Sequence, residues 1–132
     1  MKDFPPYSES LALKELGFDE PCTSLYLIKD VRGLGVTGDF KILDYYVMNS
    51  KFTVDTLITR PTFSQAFRFF REKYKFIQEI RNWDGTENQW YYQIHNEEGE
   101  ILPWRWIENK THEEAELDCL RELIEIAKSQ PA

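Results

Sequence analysis

Cysteine, histidine and long apolar runs are all scarce in this sequence, and each scarcity removes a class of function. Two cysteines occur, Cys22 and Cys119. A secreted disulfide framework needs several bridges in a small chain, so both read as reduced thiols. The two histidines, His95 and His112, have no ligand set at metal-site spacing beside them, so no metal is expected. No stretch approaches the roughly 18 apolar residues of a bilayer span. The start Met1-Lys2-Asp3-Phe4-Pro5-Pro6 sets two prolines where a signal peptide needs its apolar segment, and neither end carries a lipidation box. These features point to the cytoplasm and away from a membrane. Cations are outnumbered: 16 Lys and Arg face 23 Asp and Glu, for a net charge of −7. A surface of that sign repels a phosphate backbone, so nucleic acid is not the expected partner.

What is present is enough for one core. With 132 residues, 42% hydrophobic and 15% aromatic, the chain is long enough to fold as a single domain over residues 1–132. A first helix is expected from an N-cap at Ser8 to Leu16. Gly17 stands at the left-handed C′ position, and Leu13 pairs with Phe18 across the helix end. Strands are expected at 24–29, at 40–48 and, as a third candidate, at 52–58. Thr62 and Gln65 form a capping box that opens a helix with Phe63, Ala66, Phe67, Phe70 and Tyr74 on one stripe and Arg68, Arg71 and Lys75 on the other side. A three-strand meander follows, over 76–82, 89–95 and 100–107. It turns at Asp84-Gly85 and again at 96–99, with Gly99 at positive φ. Trp90, Tyr92 and Ile94 share one face of the middle strand, and Gln89, Tyr91, Gln93 and His95 share the other. Thr111 and Glu114 cap a last helix, whose apolar stripe is Leu117, Leu120, Ile124 and Ala127. The reading is α+β: one antiparallel sheet with three helices mainly on one face, in the order αββ(β)αβββα.

Four groups of residues invite a chemical reading. Gly33 to Gly38 spells G-x-G-x-x-G. The dinucleotide form of that motif needs a helix after it, and here a strand-like segment follows, so it reads as a hairpin connector and no cofactor is expected. Cys22 lies in a loop with no local feature to lower its pKa, and Cys119 sits among leucines as a small buried hydrophobe, so no catalytic residue is assigned. Most of the sheet aromatics, Trp104 and Trp106 among them, serve as core filling. On the wetter face Trp83, Tyr91, His95 and Arg105 remain as a candidate ligand or partner surface. Charge is also uneven: residues 60–81 carry net +4 and residues 82–132 net −8. Arg68, Arg71 and Lys75 on one helix, with Glu114, Asp118 and Glu122 on the other, therefore form a candidate charged partner surface. They either pair at a seam or make a dipole that steers a partner.

Three blocks carry a resemblance: Leu11-Ala12-Leu13-Lys14-Glu15-Leu16-Gly17-Phe18-Asp19-Glu20-Pro21-Cys22, residues 61–74 from Pro61 to Tyr74, and residues 111–126 from Thr111 to Ile126. Together, in this order, they resemble a family of small uncharacterised proteins found in bacteriophage and prophage-like DNA. The resemblance implies a phage-type accessory protein in a bacterial host cell, and it brings no activity, cofactor or catalytic residue with it. The expected function is non-enzymatic binding of a protein partner, with self-association as an open second state. Two alternatives stand beside it: a ligand-binding domain or small enzyme using the aromatic sheet face, and an acidic nucleic-acid mimic that blocks a host DNA-binding protein.

Overall fold

Helix ends and strand partners divide the chain into α1 (Tyr7–Glu15), β1 (Cys22–Asp30), β2 (Val36–Val47), a single 3-10 turn at Asn49–Lys51, β3 (Leu57–Thr59), α2 (Phe63–Lys73), β4 (Ile77–Asn82), β5 (Trp90–His95), β6 (Ile107–Asn109) and α3 (His112–Lys128). The computed structural model describes residues 4–30, 36–51, 57–82, 89–101, 107–109 and 111–130. They fall into two compact units that meet in the first turn of α2, after Gln65.

The N-terminal unit begins with a helix fixed at both ends by backbone. Pro6 is the N-cap, at φ −62 and ψ 168, and its carbonyl accepts from the Ser10 N–H at 3.1 Å. The expected N-cap Ser8 lies instead inside the helix, its hydroxyl donating to Glu9 at 2.9 Å. Pro6 makes no side-chain cap bond, and its ring fixes φ at the helix entry. The other end matches the sequence reading. Gly17 sits at φ 98, its N–H donates to the Lys14 carbonyl, and the Phe18 N–H donates to the Leu13 carbonyl at 2.9 Å. Leu13 and Phe18 are both fully buried. This is a Schellman ending with its apolar pair in place.

Behind α1 lies a three-stranded antiparallel sheet in the order β2-β1-β3. Asp30 pairs with Val36, so the glycine-rich motif joins a hairpin, and Val36, Thr37 and Gly38 belong to β2. A strand stands where a dinucleotide site needs a helix N-terminus. Asn49 ties the unit together: its amide nitrogen donates to the Phe18 carbonyl and its oxygen accepts from the Thr59 N–H, both at 2.9 Å. Arg60 is 4% exposed, with its guanidinium 3.9 Å from the centre of the Phe4 ring and 5.7 Å from that of Tyr26. It also donates to the Ser24 hydroxyl at 3.4 Å, and the Tyr26 hydroxyl donates to the Pro5 carbonyl at 2.9 Å. Ring faces and a hydroxyl thus take the place of a carboxylate partner for this charge among the described residues.

α2 opens with the expected box: Thr62 Oγ1 accepts from the Gln65 N–H, and Gln65 Oε1 accepts from the Thr62 N–H. In the C-terminal unit β4, β5 and β6 form a second antiparallel sheet, and α3 packs on it. The expected turn at 96–99 is present, with Gly99 at φ 84 and an Asn96 side chain that accepts from the Glu98 and Glu100 N–H groups. Thr111 caps α3 by accepting from the Glu114 N–H.

The α+β class and the element order hold, but the single sheet does not: the described strands form two three-stranded sheets. Each ladder is closed by strands near one another in sequence. The Arg60 N–H still donates to the Ser24 carbonyl, and Pro61, which lacks an N–H, follows it and ends the ladder of β3. The helices are accordingly shared out, α1 against β3 and α3 against β4 to β6. The α3 stripe is also rotated. Leu117 is half-buried, and Ala115, Cys119 and Leu123 join Leu120, Ile124 and Ala127 inside. Lys75 lies beyond α2, which ends at Lys73, and adopts φ 61, a left-handed conformation normally given to glycine.

Two substitutions at left-handed positions should move stability in opposite directions in urea unfolding. Gly17→Ala should lower it by about 1–2 kcal/mol, and Lys75→Gly should raise it by a few tenths to ~1 kcal/mol. Arg60→Ala, which leaves a hole under the Phe4 ring, should cost about 2–4 kcal/mol in the same assay. A loss well below that range would show that the guanidinium is not an anchor.

Candidate functional site

Among the described residues of the N-terminal unit, the large apolar side chains that stand exposed lie in one column. Along β2, Ile42, Asp44 and Tyr46 alternate outward, with Ile42 43% and Tyr46 73% exposed. The register explains why this column is open. Tyr26 pairs with Ile42 on one side and Ile58 on the other, and Ser24 pairs with Asp44. The segment leading into α1 covers the β1 and β3 columns of that face: Phe4 lies over Arg60, Pro5 takes the Tyr26 hydroxyl, and the Tyr7 ring meets Tyr26 edge-on at 5.6 Å. The β2 column lies at the sheet edge, beyond that cover. The sequence reading marked 40–48 only as a strand and passed over these residues. The available signal is Asp44, a carboxylate at the centre of the mostly apolar run 40–48, which a strand buried on both faces would not carry.

The candidates in the C-terminal unit are partly brought together. Tyr91 and His95 share a face of β5, both half-buried, with Gln93 almost covered between them. Their neighbours on β4 are Arg81, Glu79 and Ile77, and Arg81 and Glu79 are ion-paired at 2.6 Å. The opposite face holds Tyr92 and Ile94, both buried, and Trp90, whose ring meets His112 of α3 edge-on at 4.9 Å. The residues alternate between the faces as expected, but burial does not follow the division: Gln93 is buried and Trp90 only half-buried. Trp83, Arg105, Trp104, Trp106 and the Asp84-Gly85 turn lie outside the described residues.

Of the charged candidates, Arg68 and Arg71 are exposed on α2, and Lys75 is set apart from them by the helix end. Glu114 is exposed on α3, while Asp118 and Glu122 are half-buried. Along α3, His112 Nδ1 lies 3.4 Å from a Glu116 carboxylate oxygen, and Glu125 pairs with Lys128 at 4.0 Å. Among the described residues no three His, Cys, Asp or Glu side chains converge as metal ligands, and no helix is long and apolar enough to cross a membrane.

Both thiols are free and buried, in settings opposite to those that activate a nucleophile. Burial pushes Cys22 up to about 11, against a smaller lowering by Thr59 beside it; nearby Glu20 also raises it. Burial likewise raises Cys119, helped by Asp118, Glu122 and Glu116. Cys119 packs as the small interior hydrophobe that its place in the helix implied.

A thiol that the fold keeps protonated contributes stability in full below its ordinary value of 9.0. That contribution drains away as the pH climbs toward about 11, because the unfolded chain gives up a proton that the folded chain retains. Urea unfolding between about pH 8 and 10.5 should therefore show stability falling, and Cys22→Ala should flatten the fall. At neutral pH both thiols should react with Ellman's reagent only as fast as the chain opens.

Compared with known proteins, the chain has no match: no family model, no curated protein and no solved structure corresponds to it.

Proposed function

We propose that this chain is a non-enzymatic accessory protein of the phage type that its sequence blocks resemble, acting in a bacterial cytoplasm by binding another protein. The observation that carries this reading is the open column on β2, with a tyrosine 73% exposed beside an isoleucine 43% exposed on a twelve-residue strand at a sheet edge. Long edge strands with apolar side chains are sites of association, and natural proteins shorten, charge or cover them when association is unwanted. Aromatic side chains also anchor protein interfaces more often than other residues.

Support for the alternatives is thinner. The two thiols, both held protonated by burial, lend nothing to an enzymatic reading, which rests on the aromatic sheet face. On the β4 side of the Tyr91 and His95 face, the two charged neighbours Arg81 and Glu79 are paired with each other. A mimic of nucleic acid needs carboxylates standing clear of the surface, and Asp118 and Glu122 are half sunk into it.

The test compares the chain with its Ile42→Ser/Tyr46→Ser double variant, immobilised and exposed to phage-infected bacterial lysate. Both changes are on exposed side chains, so melting temperatures should agree within a few degrees. The expected result is a protein retained by the unaltered chain and lost from the variant. Equal retention by both, or a co-purifying metabolite with no protein, overturns the reading.

A further inference from the structure

A carboxylate sits at the centre of the open column on β2, and its charge selects what can pair there; this inference rests on the binding reading above. β2 is the edge of the sheet β2-β1-β3, and among the described residues no strand borders its outer side. An extended segment added at that edge would continue the ladder and bring its own alternate side chains beside Ile42, Asp44 and Tyr46.

A second copy of β2 is a poor occupant. In antiparallel self-pairing, the register that sets Ile42 against the second copy's Tyr46 also sets Asp44 against the second copy's Asp44, because Asp44 lies midway between them. Like charges directly opposite each other destabilise a sheet. The two nearest registers that keep the faces aligned set Asp44 against Ile42 or against Tyr46, a carboxylate against an apolar or aromatic side chain. The net charge of −7 adds repulsion between copies. Charge complementarity favours a different chain. We propose that the β2 edge docks an extended segment of another protein that carries Lys or Arg between two apolar residues at alternate positions. The cation lies against Asp44 and the apolar residues lie against Ile42 and Tyr46. Asp44 is then a filter that rejects the chain's own strand and admits a basic one.

Fluorescein-labelled synthetic peptides test this, one with the core Val-Thr-Lys-Thr-Val and one with Val-Thr-Glu-Thr-Val, titrated against the intact chain by fluorescence polarisation. The lysine core should bind about tenfold more tightly, since an attractive cross-strand pair becomes a repulsive one. Asp44→Lys should invert the preference, and Tyr46→Ser should weaken both peptides. Equal binding of the two cores that still depends on Tyr46 overturns the charge filter and leaves the binding reading in place. No binding of either core also overturns the filter, and the lysate comparison then judges the binding reading separately. A dimer of the unaltered chain in sedimentation that Tyr46→Glu dissolves overturns the choice of a different partner.

Discussion

A guanidinium buried without a carboxylate partner among the described residues is costly, and the groups gathered around it shape the surface of the N-terminal unit. Arg60 cannot be left bare in an interior, so the chain surrounds it with the faces of Phe4 and Tyr26 and the Ser24 hydroxyl. Phe4 comes from the segment that leads into α1, and Pro5 of that segment takes the Tyr26 hydroxyl. The contacts around this one charge go with an N-terminal segment that lies across two of the three columns of the sheet face, while Arg60 Nε has no hydrogen-bond partner among the described residues. The third column, on β2, is left outside that cover, and Tyr46 stands there in solvent. The open column is in this sense a by-product of how a buried cation is accommodated.

The C-terminal unit is organised by packing instead. α3 lays Ala115, Cys119, Leu120, Leu123, Ile124 and Ala127 inward, and small residues among the large ones let a helix approach a sheet closely. Cys119 works there because it is small and apolar. The same burial that suits it to packing holds its thiol protonated and out of reach of chemistry. Beneath the helix Tyr92 and Ile94 are covered, while Tyr91 and His95 share the other face with the Arg81–Glu79 pair.

How much of this could be read from the residues depended on the distance over which each interaction acts. The Thr62–Gln65 and Thr111–Glu114 caps, the glycine ending at Gly17 and the turn at Gly99 are made by residues within a few positions of each other, and each is where the sequence pattern put it. The faces of β5 followed from simple alternation. Strand partnership is different: the residues around Thr59 or Ile77 do not themselves say which strand each will pair with, and only the end of β3 is marked locally, by Pro61. Nor does anything near Arg60 announce its burial, since Phe4, Ser24 and Tyr26 arrive from long range. Lys75 was read as a helix-face cation because no glycine marks the end of α2, and a lysine takes the left-handed turn in its place. The β2 column was overlooked for a related reason. Its exposure depends on where the N-terminal segment lies, and a strand of apolar residues gives no sign of what will cover it.

Asn49 illustrates how one side chain can expose a fold to chemical ageing. Its amide must give a hydrogen to the Phe18 carbonyl and receive one from the Thr59 N–H at the same time, deep inside the unit. Hydrolysis of that amide to a carboxylate would keep the acceptor and erase the donor, turning a bond to Phe18 into a clash of two oxygens. The clamp between helix end and strand would thus be lost to a change of less than one mass unit, with the sequence otherwise intact. Tight burial is what shields the group from that reaction, so the lifetime of the folded chain and the integrity of this amide guard each other.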